Sequence, residues 1–105
     1  MSLPKPRIAP FEFDGETFHV RSVNGKGRVA IRKLLLGEDD SEARDAKILA
    51  LGLCDETGVL KFEVTNEAHL NEIIEADGAF IAKGIEALFD LAGLSLKGEE
   101  EAAKK

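Results

Sequence analysis

The side chains in this chain that suit covalent or proton chemistry are few: Cys54, His19 and His69. A thiol becomes a nucleophile where a base or positive charge favours the thiolate, and imidazole is the usual base near neutral pH. Cys54 closes an apolar run and is followed by Asp55, far in sequence from either histidine. A free cysteine in such a place is ordinarily an inert core residue. His69 lies beside the apolar stripe of an expected helix, with no second His or Cys one turn away, so a surface or capping role suits it better than metal ligation.

Two further stretches resemble ligand sites and fail on spacing. Glu38-Asp39-Asp40-Ser41-Glu42 is acidic, but it lacks the calcium-loop pattern, and hard cations need six or more converging oxygens. Gly25-Lys26-Gly27 echoes a phosphate loop without the full G-x-x-x-x-G-K-[ST] pattern or a preceding buried strand. The expectation is no catalytic residue, no metal and no cofactor. What remains is charge. Residues 1–37 carry seven Lys/Arg against three Asp/Glu, and residues 38–105 carry seven against seventeen, within a net charge of −6. Arg28, Arg32 and Lys33, at i, i+4 and i+5 of one helix, are therefore the candidate partner-binding residues. Repeated contact of that basic helix with an acidic face would give a salt-sensitive ring or chain of copies. An acidic chain without Trp or Tyr is a poor nucleic-acid binder.

The elements that position these residues follow from pattern. Asp14-Gly15 is a two-residue hairpin turn. It pairs Phe13 with Glu16, Glu12 with Thr17 and Phe11 with Phe18, and puts Phe11, Phe13, Phe18 and Val20 on one face, with Glu12, Thr17, His19 and Arg21 on the other. Arg28–Leu36 is an amphipathic helix ended by Gly37. Asp39 or Ser41 caps a second, central helix over Ser41–Cys54, apolar nearly all round in its last turns. Gly52 within it would allow a close neighbour. Asp55-Glu56-Thr57-Gly58 is a turn, and Val59–Val64 is extended, either a packed loop or a third strand on the hairpin. Asn66–Ala76 is a third helix and Ala79–Ala92 a fourth, with Gly84 marking a close crossing and Gly93 as C-cap.

These readings give one domain of mainly α class, about four helices with a small N-terminal β-hairpin. Residues 1–10 are expected as a flexible arm, 11–96 as the domain and 97–105 as a charged flexible tail. No apolar run reaches the 18 residues of a membrane span, the N-terminus has no signal-peptide core, and the lone Cys54 suits a reducing compartment.

The order of elements, together with Leu53-Cys54-Asp55-Glu56, Gly58 and Phe62, and Leu91-Ala92-Gly93-Leu94, resembles the tail assembly chaperones of long-tailed (siphovirus-type) bacteriophages. The resemblance spans roughly residues 11–96 and rests on turn and core positions. It implies a non-enzymatic protein in the cytoplasm of the bacterial host, absent from the mature virion, that binds the tape measure protein and keeps it soluble while the tail tube assembles. It also implies contact with the tail tube protein and with a frameshifted longer isoform of the chain itself. Competing readings are another phage morphogenesis adaptor joining structural subunits, or a small enzyme or regulator in which His19, His69 and Cys54 converge.

Overall fold

The computed structural model, which describes residues 3–93, closes its first turn at Asp14 and Gly15, with φ of 50° and 79°. Two successive positive φ values match the right-handed twist of the flanking strands. Strands β1 (Ile8–Phe13) and β2 (Glu16–Arg21) pair antiparallel in the expected register, Phe11 opposite Phe18 and Phe13 opposite Glu16. After them come helices α1 (Gly25–Leu36) and α2 (Ser41–Ala50), a two-residue strand β3 (Leu53–Cys54), and helices α3 (Glu67–Ile74) and α4 (Gly78–Ala92).

One face of the hairpin carries Phe11, Phe13, Phe18 and Val20, and α4 packs on it. Phe80 of α4 enters this face, its ring centroid 5.8 Å from Phe11, 5.6 Å from Phe13 and 4.8 Å from Phe18. The contacts with Phe13 and Phe18 are edge-on, and aromatic pairs of this kind add about 0.5–1.5 kcal/mol each beyond area burial. Helix α2 lies between α1, α3 and α4, burying Ala46, Ile48, Leu49 and Ala50. Two glycines let helices approach. A Cβ on Gly84 would sit 2.9 Å from Leu49 Cδ1, and one on Gly52 would sit 2.5 Å from Leu88 Cδ1.

Three expectations are corrected. The class is mixed α/β: four helices supply about half of the described residues, beside a three-stranded sheet in the order β1-β2-β3. The central helix stops at Ala50, and Leu53–Cys54 is the third strand, antiparallel to β2. An apolar run this short reads alike as buried helix or buried strand, and here the Arg21 amide donates to the Gly52 carbonyl at 2.8 Å and pulls the chain into the sheet. Residues 59–64 add only a single bridge, Leu60 to Cys54. Neither Asp39 nor Ser41 caps α2; Asp40 occupies that position without a side-chain cap bond, and Asp39 instead pairs with Lys47 at 2.9 Å.

The hairpin begins earlier than its sequence pattern indicates. β1 starts at Ile8, and the Arg7 amide and carbonyl already bond Ser22 at 2.8 Å each. Pro10 stands within the strand. Because Phe13 and Glu16 flank a two-residue turn, they exchange both main-chain bonds, and alternate residues turn their N–H outward. Pro10 is one of these, on the open edge of the sheet, where a missing N–H breaks no ladder bond.

A candidate partner-binding groove

Among the described residues, α4 is the helix that packs extensively on the strands, and it lies on the first face of the sheet. The side chains of the second face are Ile8 and Pro10 of β1, His19 and Arg21 of β2, and Cys54 of β3, and the chain itself folds back over part of them after Asp55. The turn that does so is built by one carboxylate. Asp55 Oδ1 accepts from the Thr57 amide at 2.8 Å, the Thr57 hydroxyl at 2.6 Å and the Val59 amide at 3.1 Å. The Thr57 hydroxyl first, then the backbone amides, hold this carboxyl below its usual pKa. Gly58 has φ of 91°, and a Cβ there would meet Ile8 Cδ1 at 2.8 Å. Its carbonyl accepts from Arg21 Nη1 at 3.1 Å.

Beside the turn opens a depression of 640 Å³, with Arg21 at one end and Leu51, Leu60, Phe62 and Val64 as apolar walls. A second depression, of 320 Å³, meets it at Leu51 and Val64 and continues past Leu34 to Lys33. Glu63 stands on the rim of the first, and Glu38 and Asp39 on the rim of the second. Val59, in the wall of the first, is 62% exposed. Arg21 Nε is sealed from solvent without a hydrogen-bond partner among the described residues. An unpaired buried donor costs about 1–3 kcal/mol, more when it is charged.

The three predicted cations have different fates. Arg28 Nη1 donates to the Ala92 carbonyl at 3.1 Å, and Arg7 Nη2 donates to the Leu91 carbonyl at 3.0 Å. Both bonds satisfy orphan carbonyls at the negative end of α4. Arg32 is likewise engaged. Lys33 lines the second depression. Arg28 is thus turned toward its own domain, and Lys33 is the one that borders the groove.

His19 and Cys54 are cross-strand partners, a convergence that sequence distance hid. It does not make a reactive pair. No hydrogen bond joins them among the described residues, and burial raises the Cys54 thiol pKa, outweighing the nearby Arg21 and Lys61 charges. His69 lies elsewhere: its Nδ1 accepts from the Glu63 amide at 2.9 Å and its ring meets Phe62 edge-on. Among the described residues no cluster of His, Cys, Asp and Glu could hold a metal ion, and no helix is long and apolar enough to cross a membrane.

Sequence reasoning placed Arg21 on the polar face of the hairpin and went no further. The signal available was the isolated cation at the end of a strand; the loop that covers it is a tertiary event. No protein-family model, curated protein or solved structure matches this chain.

Proposed function

We propose that this chain is a non-enzymatic tail assembly chaperone of a long-tailed bacteriophage, which binds the tape measure protein and keeps it soluble during tail tube assembly. One observation carries the reading. Gly58 and Phe62, two of the residues behind the family resemblance, line an open apolar groove. A protein that holds an unassembled client needs apolar surface beyond what an isolated domain normally shows. Here the groove is accompanied by exposed Val29, Leu36 and Val59. The acidic net charge of −6 opposes self-precipitation of the complex. On this reading the site of action is the host cytoplasm, and the tail tube protein and a frameshifted longer isoform are further partners.

The test is co-expression with the tape measure protein of the same phage. The expected result is a soluble tape measure protein that co-purifies with the chain, and purified virions that lack the chain. An equally insoluble tape measure protein with and without the chain defeats the proposal. Recovery of the chain from finished particles favours a structural adaptor instead.

A further inference from the structure

Among the described helices α1 alone lacks an acidic residue, while it carries Lys26, Arg28, Arg32 and Lys33. Its one buried side chain is Ile31. Val29, Arg32, Lys33 and Leu36 stand at i, i+3, i+4 and i+7, the spacing of a single helix face, and all four are exposed. Val29, 47% exposed, and Leu36, 59% exposed, mark the ends of a stripe with two cations between them, about 10 Å long. Glu38 and Asp39 border one depression with Lys33, but Asp39 is paired with Lys47 at 2.9 Å, so one carboxylate is left beside two cations. Arg32 is engaged already, and its charge adds to the field of Lys33 all the same.

The chain leaves α4 at one end of this stripe. Arg28 Nη1 holds the Ala92 carbonyl at 3.1 Å, and Gly93, with φ of 71°, ends the helix. The residues that follow are Leu94-Ser95-Leu96-Lys97-Gly98-Glu99-Glu100-Glu101, two leucines and then three carboxylates. A chain spans at most about 3.3–3.6 Å per residue, which gives Leu96 a reach of about 10 Å from Gly93 and Glu99 a reach of about 20 Å. The leucines can therefore meet Val29, and the carboxylates can meet Arg32 and Lys33. A tether this short also holds the two groups at effective concentrations in the millimolar range, so a contact too weak to join separate molecules is well populated within one chain.

We infer that residues 94–101 dock on the outer face of α1 in the same chain, Leu94 and Leu96 toward Val29 and Glu99, Glu100 and Glu101 against Arg32 and Lys33. The contact is an internal cover. Any partner of this basic, apolar-ended stripe must displace it, and salt loosens it. It goes beyond the chaperone reading and does not depend on it.

The test uses the whole chain with Ala103→Cys bearing a nitroxide; Cys54, 1% exposed, stays unlabelled. Broadening of the amide signals is read in isotope-labelled protein, before and after the nitroxide is reduced. At low salt the Val29, Arg32, Lys33 and Leu36 signals are expected to broaden while those of α3 keep their intensity. Replacing Glu99, Glu100 and Glu101 together by Gln should reduce the broadening at Leu36 severalfold. So should 1 M salt on the unaltered acidic segment, because the Debye length falls from about 10 Å at 0.1 M to about 3 Å. A mere tether broadens the amides around Gly93 alike with Glu or Gln and at either salt, and that outcome overturns the inference. Broadening confined to elements other than α1 overturns it too. So does broadening of α1 in an isotope-labelled chain without nitroxide that is mixed with a nitroxide-bearing unlabelled chain, which assigns the contact to a second copy.

Discussion

The two faces of the small sheet are finished in different ways. One is sealed by a helix: Phe80 of α4 fills the space between Phe11, Phe13 and Phe18, and Val20 beneath is fully buried. The other is covered by a turn that bonds mainly to itself, through Asp55, and leaves a groove next to Arg21. A helix covers a surface with interlocking side chains, and its fit cannot change without loss of packing. A self-bonded turn covers a surface without filling it. Stability is concentrated on the first side and adaptable surface on the second.

Substitutions that break or sharpen this contrast have ranked effects. The largest is Leu49→Ala, at a side chain 0% exposed and packed on Gly84 of the sealing helix. It should lower the unfolding free energy by about 2–5 kcal/mol in chemical denaturation, and a loss under about 1 kcal/mol would mean that α2 is not the core. Gly52→Ala comes next. The new methyl would stand 2.5 Å from Leu88 Cδ1, and Leu88 is itself fully buried, so overpacking should cost about 1–3 kcal/mol. An unchanged melting temperature would show that Leu88 has room to move.

Arg28→Ala removes one donor from the end of α4 and should cost about 0.3–1 kcal/mol, with the loss reduced by added salt. A salt-independent loss would instead point to packing of the arginine stem. Val59→Asp, on the groove side, should leave stability within about 0.5 kcal/mol of wild type, however strongly it affects binding. A large loss there would mean that the turn side supports the core as well.

The smallest effect is local. The folded-state pKa of Asp55 is depressed, so its contribution to stability is present above the ordinary carboxylate pKa and is lost as pH falls through the folded value. Below about pH 4 the protection factors of the Thr57 and Val59 amides, corrected for the intrinsic pH dependence of exchange, should fall while α4 amides stay protected. Simultaneous release of both would show that the turn and the sealed face open as one unit.

The sealed side was legible in the sequence because each of its signals is local. Asp14-Gly15 sets the hairpin register, alternation gathers the four apolar residues, and the 3.6-residue stripe marks α4 together with its Gly93 cap. Asp77, which falls between the third and fourth helices expected from the sequence, is the N-cap of α4 through bonds from the Ala79 and Phe80 amides. The groove side was illegible because it depends on where Gly52–Cys54 goes. The same three residues continue a helix or join a sheet on equal local terms, and the Arg21 amide decides the matter from thirty residues away. Once that strand is placed, Arg21, Leu60 and Phe62 converge; before it, they are unrelated positions.

The placement of Phe80 also sets a clock for the growing chain. The hairpin ends at Arg21, yet the ring that covers its aromatic face belongs to Phe80 and leaves the ribosome later. At elongation rates of about 5–20 residues per second the Phe11, Phe13 and Phe18 rings wait roughly 3–12 s for it. During that interval a half-built sheet is open to pairing with its neighbours on the same polysome. Pro10, on the outward side of the edge strand, is already in place to block such pairing through every second of the wait.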